Sequence, residues 1–311
     1  MYINRASGYP DYNSNSATPT GFIPQLYEGK VIERLYEEQL ITRLTTTEYS
    51  GQIKGKGDSV VIAKAPPVDI VDYVIGQDLN PTHPTETAVI MTVDQAKAFF
   101  ITVDDIDQYE SHLDMMNIFA DEAAKSMADV IDKEFFTWLA SSDISADNQG
   151  LTAGAKSHAY NLGVTGTPLV INADNALQTI LAAAAVLDEQ NVPRNDRWIV
   201  IPAFWAYFLK DSDLKRANEM GDSKSVVRTS DKSVGMIDSM EVFVSNNLHV
   251  ATGEFTVPFG DKKAIGYVNQ ITKTTMGSLE KQFANYIKGL SVFGYEVLDN
   301  KRHGKIICST S

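Results

Sequence analysis

The sequence has a single cysteine, Cys308, among its 311 residues. One cysteine excludes a disulfide within the chain and a multi-cysteine metal site, so we expect the chain to fold in a reducing compartment. Basic residues are also few: 27 Lys and Arg stand against 40 Asp and Glu, giving a formal net charge of -13. This charge has the wrong sign for a protein that binds nucleic acid by neutralising its phosphates.

Long hydrophobic runs are absent from the sequence as well. No stretch of about 18 apolar residues is present, as a membrane-spanning helix would need. The first residues, MYINRASGYPDYNSNSATPT, lack the apolar core of a signal peptide. The composition is nevertheless 43% hydrophobic, enough to form the core of one large domain or two ordinary ones. The sequence therefore predicts a soluble protein that is neither secreted nor membrane-bound.

Three segments in the first third of the chain differ in character. Residues 1 to 20 are rich in Ser, Asn, Thr and Pro without a period, which indicates a flexible arm. The apolar spacing in LYEGKVIERLYEEQL, residues 26–40, predicts an amphipathic helix. Residues 66–93 alternate partly between apolar and polar on both sides of a proline-containing centre, which predicts a two-stranded ribbon. Because such a ribbon is marginal alone in water, its partner is expected to be another copy of the chain.

The strongest helical pattern extends from Ser111 to Leu139, with apolar residues every three or four positions and aspartates between them. A helix of that length would extend roughly 40 Å. After a loop-like region at 141–168, the sequence predicts two helices, near 174–190 and 203–209, separated by a strand at 197–202. A charged loop at 210–232 and four C-terminal strands follow. This irregular mixture predicts an α+β fold and argues against a doubly wound sheet.

Catalytic motifs do not occur at the spacing that their chemistry requires. The glycine-rich GQIKGKGDS, residues 51–59, lacks the spacing of a phosphate-binding loop. Ser291 is not in a G-x-S-x-G turn, and the five histidines are scattered without the H-E-x-x-H spacing of a metal site. Cys308, three residues from a chain end that we expect to fray, is interpreted as a small hydrophobic residue. We therefore expect no catalytic residue, no cofactor and no metal.

An acidic cluster is the best candidate for an enzyme site. It comprises Asp104, Asp105, Asp107, Glu110 and Asp114, which could bind a hard cation or share acid and base roles. The cluster falls where the long helix begins. Negative side chains there satisfy free backbone amides and complement the helix dipole, so we favour a structural explanation.

Two other polar segments also have structural explanations. DISADNQG, residues 143–150, begins like a calcium loop but lacks the required glycine and the closing glutamate. The stretch LDEQNVPRNDRW, residues 187–198, carries charges of both signs between a helix end and a strand start. We expect these charges to solvate and position a turn, with no other group converging on them.

The order of these segments resembles the major capsid proteins of tailed bacteriophages with the Hong Kong 97-type fold. The resemblance extends over nearly the whole chain after the arm. It depends on the aspartate-rich FFITVDDIDQYESHLDMM before the long helix and on LDEQNVP before an apolar strand. Ser245-Asn246-Asn247 and Lys288-Gly289-Leu290, which leads into an aromatic strand with Gly294, complete the pattern.

The resemblance implies a division of the chain into four parts. The first two parts are an N-terminal arm and helix at 1–63 and an extended loop (E-loop) at 64–100. The third is a peripheral domain at 101–164, which contains the long spine helix and is joined by C-terminal strands from about 261–311. The fourth is an axial domain at 165–260. In this family the extended loop reaches over a neighbouring subunit, and the tips of the axial domains meet at the five-fold and six-fold axes.

The resemblance also implies a function and partners. The chain is expected to assemble with itself into pentamers and hexamers, forming an icosahedral virion capsid that encloses double-stranded DNA without sequence-specific binding. Assembly is expected in the bacterial host cytoplasm with a scaffolding protein and a portal, and a decoration protein is a further expected partner. The subunit contacts are expected at Lys54, Lys56, Tyr73, Ile75, Leu79, His83, Arg194 and Asp196.

Two alternatives remain open at this point. One is the shell of an encapsulin-like nanocompartment, which has the same fold but encloses an enzyme. The other, from a different class, is a hydrolase that uses the acidic cluster between Asp104 and Asp114.

Overall fold

The computed structural model describes residues 39–49, 59–64, 66, 68, 70, 72, 75–76, 87–105, 115–154, 156–211, 233–280 and 283–310. Four helices lie in these parts of the chain: α1 (Ile41–Leu44), α2 (Met115–Ser141), α3 (Ala176–Glu189) and α4 (Ala203–Asp211). The strands are β1 (Ser59–Lys64), β2 (Thr87–Thr92), β3 (Gln95–Asp104), β4 (Leu169–Ile171), β5 (Arg197–Ile201), β6 (Ser233–Ile237), β7 (Met240–Val244), β8 (Val250–Ala251), β9 (Glu254–Asp261), β10 (Ile265–Ser278), β11 (Ala284–Val297) and β12 (His303–Thr310).

The predicted secondary structure is confirmed over most of these residues. The long helix, the helix–strand–helix succession α3, β5 and α4, and the C-terminal strands all form where their sequence patterns indicate. The fold is α+β, as predicted. The expected arm at 1–20, the expected loop at 212–232 and the start of the long helix at 111–114 lie outside the described residues, and so does nearly all of the helix at 26–40.

The largest sheet has seven strands, with the order β4-β12-β9-β5-β7-β6 and β8 paired to β9. Its central strand β5 is parallel to β7 and antiparallel to β9. All five residues of β5 are buried, which explains why its sequence, RWIVI, is almost continuously apolar. Helix α3 covers this sheet and buries Ile180, Ala183 and Leu187 in the same core as Trp198.

The second sheet has the order β10-β11-β3 and carries the two-stranded β1–β2 ribbon as a separate pair. Helix α2 packs against this sheet, where Trp138 and Phe135 contact Tyr295 of β11 with ring centroids 4.5 and 5.8 Å apart. The C-terminal part of the apolar stripe of α2 is buried, at Ile131, Phe135 and Leu139, because residues three and four apart share a face.

Two of the expected domain boundaries do not coincide with the way the strands pair into sheets. Residues 95–100, placed in the extended loop by the resemblance, are the first part of β3 and pair with β11. Strand β12 lies in the range 261–311 that was expected to join the peripheral domain, yet it pairs with β9 and β4 in the seven-stranded sheet. The local strand patterns were correct here, but strand partners are not encoded in local periodicity.

The segment that precedes the ribbon is held by a buried carboxylate of α2. Asp132 Oδ2 accepts a hydrogen bond from Leu40 N at 2.7 Å, and its Oδ1 accepts one from Ile41 N at 3.2 Å. Asp132 is fully buried, and burial together with its negative charge raises the pKa of Tyr267 to about 12. Asp132 therefore fixes the start of α1 against α2.

Cys308 is a small buried hydrophobic residue, as predicted, but its expected surroundings were wrong. It does not lie in a frayed end, because β12 continues to Thr310 and Cys308 pairs with Leu169 on one side and Phe255 on the other. The side chain is fully buried, and burial raises the pKa of its thiol to about 12. The thiol is therefore protonated and inaccessible at neutral pH.

Candidate assembly surfaces

The β1–β2 ribbon exposes a face without a single charged side chain. Side chains alternate between the two faces of a strand, so every second pair of opposite residues in β1 and β2 points away from the fold. The outward residues are Ser59, Val61, Ala63, Ala88, Ile90 and Thr92. Val61 and Ile90 are directly opposite each other and are 63% and 56% exposed. Paired apolar side chains this open to solvent mark a surface that another molecule covers.

The inward face of the ribbon lies on the three-stranded sheet. Met91, which is fully buried, forms a small core with Val93 and Val268. Close approach is possible because β11 has a glycine beneath the ribbon: a Cβ added at Gly294 would lie 2.2 Å from Thr92 O. The ribbon is thus anchored by one face and open on the other.

The chain between the two ribbon strands exposes further apolar residues. Val68, Ile70 and Ile75 are 71%, 96% and 94% exposed. Isoleucine side chains almost wholly in water gain no stabilisation within their own chain, since apolar burial contributes only when solvent is removed. These residues are further exposed apolar surface in the segment that joins the two ribbon strands.

The eight predicted contact residues divide into two groups. Lys54, Lys56, Tyr73, Leu79 and His83 lie outside the described residues. Ile75, Arg194 and Asp196 are exposed, so all three are open to a partner. Ile75 lies in the segment between β1 and β2, and Arg194 and Asp196 lie on the turn before β5.

The charged turn at 187–198 is more tightly organised than predicted. Arg194 and Arg197 both bind Asp188, at 2.5 and 2.7 Å, although the sequence indicated that no groups converge there. The side chain of Arg197 is fully buried and also donates to Pro193 O and Val192 O. Arg197 is therefore a structural cross-link between the end of α3 and the start of β5, and the expectation that it would be solvated was wrong.

The carboxylates at the end of α3 have pKa values below their usual range. Burial opposes ionisation of Asp188, but hydrogen bonds from Arg194 and Arg197 outweigh it and lower its pKa. At the next residue, a hydrogen bond from the Ser157 hydroxyl and then one from Lys156 N lower the pKa of Glu189. Both carboxylates position neighbouring loops and are not poised to exchange protons near neutral pH.

The acidic cluster does not form a site in the described residues. Asp104 ends β3, and Asp105 accepts a hydrogen bond from Asn285 Nδ2 at 2.7 Å. Asp107, Glu110 and Asp114 lie outside the described residues. Over the part of the chain that the structure describes, no group of three or more His, Cys, Asp or Glu side chains is placed to hold a metal ion.

Two structural residues had no clear signal in the sequence. Asn148, from the segment that begins like a calcium loop, is buried and donates to Lys301 O and His303 O at 2.8 and 2.9 Å. Asn247 donates to Asp129 of α2 at 2.9 Å and so ties the segment after β7 to the long helix. Both contacts join residues more than 100 positions apart, which local patterns cannot reveal.

Solved structures that are similar to this chain include chains from phage capsids. Mycobacterium phage Che8 has a chain that matches with a TM-score of 0.74 and 24% identity, covering 92% of this chain and 97% of that one. The capsid of cyanophage P-SCSP1u matches with a TM-score of 0.67 and 15% identity over 93% and 94%. The mature capsid of bacteriophage PhiM1 matches with a TM-score of 0.67 and 12% identity over 94% and 93%. The fold is therefore that of phage capsid subunits.

A family model described as phage capsid protein matches residues 85–302, more than half of the chain. The chain belongs to this phage capsid protein family, and it is a major capsid shell protein that assembles with copies of itself in the virion capsid. No protein with a curated description matches it. Within the residues that the structure describes, no helix is long and apolar enough to span a membrane. Nothing in these findings favours the nanocompartment or the hydrolase over the capsid.

Proposed function

We propose that this chain forms the icosahedral capsid of a tailed phage through pentamers and hexamers, with the ribbon of one copy lying on a neighbouring copy. The observation that carries this proposal is the uncharged outward face of β1 and β2, with Val61 and Ile90 directly opposite each other in solvent. In an isolated chain, this face gives no stabilisation. In an assembled shell each copy buries it, so a large part of the stabilising apolar area belongs to the assembly.

The proposal assigns each sheet of the chain to one domain of a capsid subunit. The seven-stranded sheet corresponds to an axial domain at 165–260 with β12 added, and the three-stranded sheet with α2 corresponds to a peripheral domain at 101–164 joined by residues from about 261. The extended loop at 64–100 corresponds to β2 and residues 65–86, and β1, which pairs with β2, would add residues 59–63 to it. In this arrangement the arm and helix at 1–63 would be a separate contact element.

The remaining partners follow from the same proposal. A scaffolding protein, a portal and a decoration protein are proposed partners, with assembly in the bacterial host cytoplasm. The net charge of -13 suits a wall that encloses double-stranded DNA without trapping it. The role is structural and not enzymatic, which is consistent with the protonated, buried state of Cys308.

Sedimentation and negative-stain imaging test the proposal directly. The chain is expressed alone and together with a scaffolding protein encoded beside it. We expect particles of uniform diameter, far larger than the 34.2 kDa monomer, under at least one of these conditions. A stable monomer or dimer under both would overturn the proposal. DNA packaged within particles would separate a phage capsid from a nanocompartment filled with protein.

A pair of substitutions at one residue tests the ribbon. Ile90→Lys places a charge in the centre of the uncharged face, whereas Ile90→Val keeps the face apolar. Because the side chain is exposed in the isolated chain, both variants should fold within about 0.5 kcal/mol of the wild type. Only Ile90→Val is expected to yield particles. Assembly of Ile90→Lys at the wild-type level would mean that this face is not an interface.

A further inference from the structure

Three connections carry the chain between the region of the three-stranded sheet and the seven-stranded sheet. The first leaves α2 at 142–148, the second runs from β9 to β10 at 262–264, and the third runs from β11 to β12 at 298–302. We call these three segments the joint. Because the chain is continuous through them, a movement of one sheet relative to the other has to bend the joint.

Backbone hydrogen bonds hold the three connections of the joint together. Ser145 N donates to Asn300 O at 3.0 Å, which binds the first connection to the third. Leu298 N donates to Ala264 O at 2.8 Å, which binds the third connection to the second. All four residues lie outside the strands. These bonds can therefore open while both sheets keep their own strand pairing.

A histidine ring lies against the joint. His303 is the first residue of β12 and is only 1% exposed. Its Nε2 lies 3.3 Å from Ser142 Oγ in the first connection, and its Nδ1 lies 3.4 Å from Asp299 O in the third. The ring therefore contacts two of the three connections at once.

These two contacts place an acceptor opposite each ring nitrogen. The Asp299 carbonyl can only accept a hydrogen bond, and the Ser142 hydroxyl already donates to Leu139 O at 2.8 Å. A neutral imidazole has one N–H and satisfies one of these acceptors, whereas an imidazolium satisfies both. The imidazolium, however, is a charge in a site that is almost closed to water, which is costly. Protonation therefore favours an arrangement in which the ring reaches solvent.

Charged side chains approach the ring from the elements packed around it. They are Asp143 after α2, Asp299 before β12, Lys305 on β12, and Asp261 of β9, which Arg302 binds at 2.6 Å. Burial is the largest influence on the ring and lowers the pKa of His303 to about 4. The carboxylates of Asp143 and Asp299 oppose this lowering, and Lys305 adds to it. The nearby negative charges are thus too weak to stabilise a protonated ring in the closed joint.

We propose that His303 is a pH-sensitive switch in the joint between the two sheets. While the ring is neutral, it holds the end of α2 against the start of β12. When the ring is protonated, it leaves its closed site and the three connections separate, although each sheet keeps its own strand pairing. This inference concerns the single chain, goes beyond the shell function and does not depend on it.

Hydrogen exchange of the full chain at pH 7 and pH 4.5 tests the switch, with rates corrected for the intrinsic effect of pH. The ring binds a proton near pH 6.5 in the open joint and near pH 4 in the closed joint, so opening should become roughly fiftyfold more favourable at pH 4.5. Amides of 142–148 and 298–304 should lose protection by that factor, whereas those of β5 should not. Equal protection of the joint at both pH values, or a simultaneous loss in β5, would overturn the inference.

Two histidine substitutions provide a matched comparison. His303→Gln keeps a hydrogen-bonding side chain that cannot be protonated, so its joint should be equally protected at pH 7 and pH 4.5. His158→Gln removes an exposed histidine and should behave like the wild type. The inference fails if acid opens the joint of His303→Gln as far as that of the wild type.

Nuclear magnetic resonance of the wild-type chain with labelled histidine gives a readout that needs no substitution. The ring of His303 should remain neutral at pH 5.5 and begin to bind a proton only as the joint amides lose protection. A His303 ring that is half protonated near pH 6.5 while those amides stay protected would show that the closed joint accepts the charge. His303 would then be a structural residue and not a switch.

Discussion

The two main sheets of this protein bury their surfaces to different extents. In the seven-stranded sheet every residue of β5 is buried, and its core continues into α3 and α4. In β1 and β3, by contrast, partly buried and exposed residues alternate along almost the whole strand. The seven-stranded sheet is therefore stabilised by its own chain, whereas the ribbon and β3 leave apolar side chains such as Ile90 and Phe100 exposed. A shell subunit needs both kinds of region, since it must fold before it assembles.

The seven-stranded sheet and the ribbon also differ in where they place charged side chains. Around the seven-stranded sheet, partly buried ion pairs such as Arg302–Asp261, at 2.6 Å, connect segments of the same chain. On the outward face of the ribbon there is no charge to be desolvated when a neighbour covers it. Burying an ion without its partner has a large desolvation free energy. A neighbouring copy can therefore cover an uncharged face without that penalty.

Gly163→Ala is expected to reduce the free energy of unfolding more than any other substitution considered, because it should disrupt the seven-stranded sheet. A Cβ at Gly163 would lie 2.1 Å from Ile307 O in β12, and the φ of +75° is unfavourable for alanine. Neither backbone can move without breaking the sheet, so we expect the free energy of unfolding to fall by about 5 kcal/mol or the chain not to fold. Urea denaturation monitored by circular dichroism measures this.

Gly166→Ala is the matched control for that substitution. Gly166 has a similar φ of +86°, but an added Cβ would meet nothing within 4 Å. We expect a loss of only about 1 kcal/mol, from the backbone conformation alone. Equal losses in the two variants would show that strain in φ, and not the close contact with β12, determines the stability of this region.

An intermediate effect is expected from His303, which lies where the end of α2 meets β12. Its Nε2 is 3.3 Å from Ser142 Oγ, and its ring is almost fully buried near Asp143, Asp299 and Lys305. Burial lowers its pKa from 6.5 to about 4, against the opposing influence of the Asp299 carbonyl and the two carboxylates. The folded state therefore keeps this ring neutral at pH values where the unfolded state binds a proton.

The sign of the pH dependence follows from this difference. The stabilisation from His303 is fully present above about pH 6.5 and is lost as the pH falls towards about 4, with a span of about 3 kcal/mol. His303→Gln should remove this contribution, so its urea midpoint should fall less than that of the wild type between about pH 7 and pH 4.5. Identical pH dependence in both proteins would mean that the ring is solvated in the folded state.

Much of the fold could be predicted from local patterns. The apolar period of α2, the alanine-rich α3 and the apolar run of β5 each determine one element through a repeat of a few residues. The order of those elements also carried the resemblance to phage capsid proteins, which the family match confirms. A two-stranded ribbon was predicted, and its second strand at Val89 to Val93 overlaps β2. Its first strand was placed at Val68 to Ile75, whereas the structure pairs β1 (Ser59–Lys64) with β2, because a register between distant strands is not visible in local alternation.

The remaining features depend on contacts between distant residues. The burial of Arg197 arises because Val192, Pro193 and Asp188 surround its guanidinium, whereas in the sequence it is one charge among several on a turn. The partners of β12 were not predictable for the same reason, since the strand pattern GKIICST fits either sheet.

Gly294→Ala is expected to have the smallest effect on global stability. This substitution also tests the comparison between the two sheets most directly. A Cβ there would lie 2.2 Å from Thr92 O, a clash as severe as that at Gly163. Among the described residues, the ribbon is held by the small core around Met91 and by an ion pair between Lys64 and Asp299 at 3.9 Å, so we expect it to move away from β11 more easily than β12 can move from its sheet. We therefore expect Gly294→Ala to cost only about 1 kcal/mol in global stability while the ribbon loses its contacts.

Hydrogen exchange distinguishes a displaced ribbon from a destabilised fold. In Gly294→Ala, amides of β1 and β2 should exchange faster, whereas those of β5 and β12 should keep wild-type protection. Particle yield should fall, because a displaced ribbon presents Val61 and Ile90 in the wrong place. If Gly294→Ala instead unfolded as completely as Gly163→Ala, the two sheets would be one cooperative unit. The exposed ribbon would then be a required part of the subunit's own stability, and the contrast between a self-sufficient sheet and an assembly-dependent ribbon would not hold.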